Sequence, residues 1–311
     1  MPIVEQDRFR CCLHGLAVRD VTGVPTEFRP RGTLRPLTNM IGRGVFHLRP
    51  GQRTDDSPMA LCLASSLLEC NGFDAHDQMF RYCKWAETGY LSSTGERFGM
   101  GVIAASALRR FRKTRNPFAG SSHPHSASNG CIMRLALIPV CHFPDLDAAE
   151  RFAAESSKTT RRAAERADAC RLLARIVCRH LSGRSKDEVV FGDSETFMDS
   201  KKIGEIARGG DLQKHQEDIR QEDIRSSGYV LESLEAAMWC FVHSGSFKEA
   251  VLMAANLGDD ADTSAAVCGQ AAGAYYALRG IFCVWLERLP LHSNITELTD
   301  RLYRASRKRV G

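Results

Sequence analysis

The chain has 311 residues, enough to bury a sizeable core in one large domain or two small ones. With 43% hydrophobic and 25% charged residues it has the composition of an ordinary soluble globular protein, and no apolar run is long enough to span a bilayer. A net charge of +5 suits an anionic small ligand or a nucleotide-bearing substrate but falls short of a nucleic-acid binder. The twelve cysteines are scattered and include no Cys-x-x-Cys pair, which argues against a zinc ribbon. Met1 to Arg10 is polar and charged, unlike a signal peptide, so reduced, mostly buried thiols in a cytoplasmic monomer are expected.

In chain order, Phe9 to Val18 reads as a first helix, and Thr22 to Thr54, rich in Gly, Pro and Arg, as a long ordered loop. Ser57 as N-cap with Pro58 at the first helical position starts an apolar helix over Met59 to Cys70, which Asn71-Gly72 stops. Further helices are predicted over Asp74 to Glu87, Gly101 to Lys113, Asp145 to Ala154 and Thr160 to Ser182. The cluster Arg109, Arg110, Arg112, Lys113 and Arg115 reads as a solvated helix C-terminus, where cations are favourable.

From about 183 to 227 the chain turns polar and carries a duplicated pentapeptide, Gln216 to Arg220 and Gln221 to Arg225, as an exposed excursion would. Helices resume over Val230 to His243, Phe247 to Asn256, Ser264 to Tyr276, Ile281 to Leu289 and Asn294 to Arg304. No convincing strand alternation appears, and the chain reads as all-α, a single domain over 1–311.

The stretch with the most chemistry is Gly258-Asp259-Asp260-Ala261-Asp262-Thr263, at the mouth of an almost wholly apolar helix that Asp262 or Thr263 would cap. Gly269 and Gly273 would let another helix approach that one closely. Two carboxylates about 5 Å apart repel by roughly 3 kcal/mol at an effective dielectric near 20. One helix end, worth about 0.3–1 kcal/mol, does not offset that, whereas a proton or a hard cation does. Oxygen donors without Cys or His point to Mg²⁺, Mn²⁺ or Ca²⁺. A solvated acidic turn capping a core helix is the alternative. Thr54-Asp55-Asp56 forms a second acidic mouth on a second buried helix, and the two would supply up to six oxygen ligands if they converge.

The chain resembles the ADP-ribosylglycohydrolase family, which includes dinitrogenase-reductase-activating glycohydrolase and the ADP-ribosylhydrolases. The resemblance is carried by Gly15-Leu-Ala-Val with Asp20, Pro25-Thr-Glu-Phe, Gly51-Gln-Arg-Thr-Asp-Asp-Ser-Pro-Met-Ala and Gly89-Tyr-Leu-Ser-Ser-Thr-Gly. It continues through Asn129-Gly-Cys-Ile-Met-Arg, Ser156-Ser-Lys-Thr-Thr, Ser227-Gly-Tyr-Val, Gly258-Asp-Asp-Ala-Asp-Thr and Gly269-Gln-Ala-Ala-Gly-Ala-Tyr-Tyr. The resemblance implies an orthogonal bundle of helices around a binuclear Mg²⁺ or Mn²⁺ centre, and hydrolysis of the bond joining ADP-ribose to a protein side chain, arginine first, or a related linkage.

Carried over by position, Thr54, Asp55, Asp56, Asp260, Asp262 and Thr263 would be metal ligands, and Glu27 would activate water beside Asp55 and Asp260. Asn129, Gly130 and Cys131 match a loop that binds ribose and phosphates, and Tyr229 a tyrosine that contacts ADP-ribose. Taken singly, Asn129-Gly130 is an ordinary turn, Tyr229 a core residue and Glu27 a surface acid. The implied partner is an ADP-ribosylated protein or a small ADP-ribose compound, with no nucleic acid or membrane involved. Three positions depart from the family pattern: Gly99 stands where an acid is usual, Arg161 where a histidine is, and Arg19 where a glycine is. The alternative reading is therefore a catalytically impaired relative that binds ADP-ribose or metal without turnover.

Overall fold

The computed structural model describes residues 5–23, 26, 29–33, 35–40, 55–121, 128–160, 163–190, 199–208, 224–277 and 283–309. The regular elements among them are all helices, and the only β pairing between described residues is an isolated antiparallel bridge between Ser128 and Tyr229. The helices are α1 (Glu5–Gly23), α2 (Asp56–Glu69), α3 (Ala75–Thr88), α4 (Val102–Thr114), α5 (Leu137–His142), α6 (Leu146–Thr160) and α7 (Ala164–Leu181). They continue with α8 (Lys186–Val190), α9 (Lys201–Ala207), α10 (Val230–Val242), α11 (Phe247–Ala255), α12 (Ala261–Tyr276), α13 (Cys283–Glu287) and α14 (His292–Lys308).

The bundle is built on α12. Every residue from Ala261 to Ala274 is buried, so this helix has no solvent face. Its principal neighbour is α1, and the two meet backbone to backbone. A Cβ added at Gly15 would lie 2.1 Å from the carbonyl oxygen of Gly269, and one at Gly273 would lie 1.9 Å from that of Cys11. The close approach expected at Gly269 and Gly273 is thus present, with Gly15 supplying the opposing gap.

Outside this pair, α11, α10 and α7 cover α12, while α14 and α2 lie against α1. Ile295, Thr299, Leu302 and Ser306 form the buried stripe of α14, and Arg10 grips Asp300 with two bonds of 2.7 and 2.8 Å. Among the described residues no disulfide is formed, and of the eleven cysteines whose side chains are described all but Cys70, at the exposed end of α2, are buried.

Several boundaries shift from the sequence reading. Helix α2 begins at Asp56 with Asp55 as N-cap, so Ser57 and Pro58 sit inside its buried first turn rather than ahead of it. Asp260, not Asp262 or Thr263, occupies the N-cap position of α12. Part of the polar stretch from 183 to 227 is described, and it includes the short helices α8 and α9. Val189, Val190, Ile203 and Ala207, on α8 and α9, are buried in the main core, which gives these short helices something to fold against. Most of the duplicated pentapeptide lies outside the described residues.

Two predictions follow from the packing. Gly273→Ala should destabilise the protein by about 1–3 kcal/mol through overpacking, measured by urea denaturation, while Gly101→Ala, with nothing within 4 Å, should stay within about 0.5 kcal/mol of wild type.

The second concerns pH. Burial holds His14 and His180 neutral, with pKa values lowered from 6.5 to about 4 and about 3. The unfolded chain binds these protons first, so their contribution to stability is fully present above pH 6.5. It is lost as pH falls from 6.5 towards 4, by up to about 3 kcal/mol for each group. Thermal melts at pH 7, 6 and 5 should show this fall, and a His14→Gln variant should show a shallower one.

Candidate functional site

The turn that opens α12 is built from two consecutive left-handed residues, Gly258 (φ 77°) and Asp259 (φ 55°). Only glycine suits the first. A Cβ there would be strained by that φ and would lie 2.8 Å from both the carbonyl oxygen of Arg29 and the amide nitrogen of Arg31. Asp tolerates the second, as a short polar side chain does in this region.

Two neighbouring segments hold the turn. Asp259 N–H donates to the Arg29 carbonyl at 2.8 Å, and Asp260 N–H donates to the Ser226 carbonyl at 2.8 Å. Arg31 adds bonds from its guanidinium to the Leu257 and Ile224 carbonyls, and Asn256 pairs with both backbone groups of Leu37. Thr26 donates to the Ala255 carbonyl. The loop after α1 is therefore clasped onto the acidic turn.

On the inner side, Asn129 is the hub. Its side-chain amide donates to Asp260 Oδ2 at 2.6 Å and to Ser233 Oγ at 2.7 Å, and its backbone N–H donates to the Gly228 carbonyl at 3.0 Å. Ser233 Oγ in turn donates to the Ser227 carbonyl. Tyr229 follows in the same segment, and its hydroxyl donates to Glu165 Oε2 at 2.8 Å. Burial and the adjacent Glu165 carboxylate raise the phenol to about 12, so it is a proton donor throughout the neutral range.

Residues 129–134 connect this wall to the second acidic mouth. Gln270 on α12 donates to the carbonyls of Ile132 and Met133, both at 3.0 Å. Arg134, fully buried, crosses the Tyr82 ring, donates to Thr160 Oγ1 at 2.8 Å and reaches Met59 Sδ at 3.7 Å. Met59 lies in the first turn of α2, and its amide bonds to the Asp55 carbonyl. One short segment thus touches Asp260 at one end and the first turn of α2 at the other.

The structure accordingly places Asp260, Asn129, Gly130, Cys131 and Tyr229 on one wall, with Asp262 and Thr263 buried behind Asp260. Asp55 and Asp56 stand at the mouth of α2, Asp56 fully buried. Glu27 and Thr54 lie outside the described residues, as does Arg161. Gly99 precedes α4 with φ 72°, and Arg19 is part of α1.

Among the described residues no group of three or more His, Cys, Asp and Glu stands close enough to hold a metal ion. Two of the carboxylates are turned onto N–H donors instead, Asp260 onto Asn129 and Asp262 Oδ1 onto the Thr263 amide at 2.8 Å. The buried oxygen donors of Asp56, Asp262 and Thr263 nonetheless match the chemistry of a hard divalent cation. Glu165 and Ser233 were missed in the sequence. An acid in the first turn of a helix and a serine within one are too common to single out.

This helical architecture is a known one. A solved structure described as an ADP-ribosylglycohydrolase-related protein complex superposes with a TM-score of 0.82 and 34% identity, covering 97% of this chain and 99% of that one. The family model for ADP-ribosylglycohydrolase matches residues 1–310, and the chain belongs to that family.

Among its relatives is ADP-ribosylarginine hydrolase Tri1 of Serratia proteamaculans (strain 568), 34% identical over 297 residues, 96% of this chain and 79% of the relative. Another is the ADP-ribosyl-[dinitrogen reductase] glycohydrolase of Rhodospirillum rubrum, 27% identical over 92% of this chain and 91% of its own length.

Asn129→Ala should cost about 1.5–3 kcal/mol, since it removes a bond to a charged carboxylate and leaves Ser233 without its donor. Urea denaturation checks this, and Ser233→Ala in the Asn129→Ala background should then cost less than in wild type.

Proposed function

We propose that the protein is a metal-dependent hydrolase that removes ADP-ribose from a modified protein side chain, arginine first. The observation that carries this reading is the Asn129–Asp260 bond. It sets a ligand-binding loop of the family directly against the first carboxylate of the α12 mouth. Relatives at 34–35% identity named ADP-ribosylarginine hydrolase support arginine as the linkage.

Thr54, Asp55 and Asp56 from one mouth, with Asp260, Asp262 and Thr263 from the other, would hold two Mg²⁺ or Mn²⁺ ions. When bound, such ions polarise ribose hydroxyls and water and relieve carboxylate repulsion. The chain's own residues do the rest. Tyr229 presents a ring to an apolar ribose or base face, fixed by its bond to Glu165. Asn129, Gly130 and Cys131 frame the ribose and phosphates. Glu27 takes the proton of the attacking water as its oxygen bonds to the anomeric carbon. The carbon–nitrogen bond to the guanidinium breaks, and the released nitrogen takes the proton that Glu27 received from the water, which returns Glu27 to its carboxylate form.

A second reading, binding without turnover, is favoured by Gly99. It stands where the family resemblance leads one to expect an acid, and its φ of 72° lies in the left-handed region that glycine adopts freely.

Incubation with ADP-ribosylated arginine and Mg²⁺ or Mn²⁺ tests the proposal. Release of ADP-ribose should be abolished by chelator and reduced about 10²–10⁴-fold or more in an Asp260→Ala, Asp262→Ala variant. Wild-type release no faster than that variant's, beside tight ADP-ribose binding by calorimetry, would establish the second reading instead.

A further inference from the structure

On the outer side of the clasp lies a groove of about 840 Å³ that the acidic site does not use. It runs between the loop that follows α1 and one flank of α11, and it meets the acidic turn only at Gly258. Arg29 and Arg35, both exposed, stand along one side, and Lys248, from the first turn of α11, stands on the other. Among the described lining residues the single carboxylate is Glu249, and its Oε2 is engaged by the Gly245 N–H at 2.7 Å. Between the charges the lining is apolar, with half-buried Leu252 and Met253 facing Pro30 and Pro36.

We propose that this groove docks an extended, acidic stretch of the ADP-ribosylated protein itself. The inference rests on the hydrolase reading for the identity of the docked chain, but the groove's chemistry stands on its own. A site for a small anion gathers N–H donors and cations onto one point. Here the arginines and the lysine line two sides of the groove instead of converging on one point, and a single exposed ion pair is weak. An extended polypeptide that carries both acidic and apolar side chains engages several together and covers the apolar floor between them.

Location agrees with this role. The Arg29 carbonyl that accepts the Asp259 N–H is also part of the groove wall, so a docked strand lies one backbone layer from the acidic turn. Arg31 is the exception among the arginines, since its guanidinium is committed to the Leu257 and Ile224 carbonyls and holds the wall together.

The test uses the full chain and two fluorescein-labelled decapeptides, alternating Glu-Leu and alternating Lys-Leu, read by fluorescence anisotropy at low salt. The acidic peptide should bind at least tenfold more tightly than the basic one and weaken steeply as salt is raised. An Arg29→Glu, Arg35→Glu variant should lose at least tenfold of that binding at an unchanged melting temperature, because Arg29 acts in the clasp through its backbone alone.

A matching kinetic arm compares free ADP-ribosylarginine with an acidic peptide ADP-ribosylated on its single arginine. The double variant should raise KM at least fivefold for the peptide and leave the small substrate unaffected. Equal binding of the two peptides, binding indifferent to charge reversal, or displacement by pyrophosphate or a thymidine decanucleotide as effective as by unlabelled acidic peptide would each overturn the proposal. A wild-type protein inert on both substrates would sink the hydrolase reading alone, because the peptide arm reads without turnover.

Discussion

Everything at the site depends on how closely α1 can lie against α12. A helix buried on all sides has no solvent face, so its position is fixed by what fits around it. Here the fit is backbone on backbone, with Gly15 against the Gly269 carbonyl and Gly273 against that of Cys11 leaving no room for even a methyl group. The same burial takes the first turn of α12 out of water, and with it Asp262 and Thr263. A carboxylate at an exposed helix mouth is cheap, whereas one that is buried requires a proton, a cation or several N–H donors. The packing of two helices thus creates the electrostatic demand that the site's chemistry answers.

The segment 129–134 serves that demand at both ends. Asn129 gives Asp260 a charge-assisted bond and ties it to the Ser227–Tyr229 strand, while Arg134 carries a buried guanidinium to the first turn of α2. Gln270 keeps the span between them in register by bonding two successive carbonyls. A short backbone turn thereby joins two acidic mouths that are some two hundred residues apart in sequence. This arrangement, more than any one carboxylate, makes a shared site of the two mouths physically reasonable.

How much of this was legible in the sequence varies with the kind of signal. The existence of α2, α3, α10 and α12 was plain from apolar runs bounded by Asn71-Gly72, Asp74 and the acidic turn, because those residues act locally. The start of α2 was misplaced because Ser57-Pro58 is a strong local start signal, yet the helix begins two residues earlier with Asp56 buried. α8 and α9 were hidden by their polar faces, since a short helix needs only two buried residues, such as Val189 and Val190, to dock.

Within the site, the acidic residues were conspicuous by their clustering, and Asn129 and Tyr229 through family resemblance. Glu165 and Ser233 were not visible at all. Their importance comes from partners 64 and 104 residues away, and no local pattern encodes such a distance.

The clasp between the loop after α1 and the 255–260 turn sharpens what the unusual backbone there is for. Gly258 and Asp259 are both left-handed, a conformation that one hydrogen bond would not hold in a solvated loop. It persists because Asp259 and Asp260 donate in opposite directions, to Arg29 and Ser226, while Arg31 and Asn256 fasten the flanks. Over-determined in this way, the turn holds the N-cap carboxylate of α12 in one orientation whatever charge lies before it. The carboxylates therefore do not have to be assembled by their ligand. The covalent and hydrogen-bonded frame meets most of the ordering cost in advance, and binding energy is left for the chemistry.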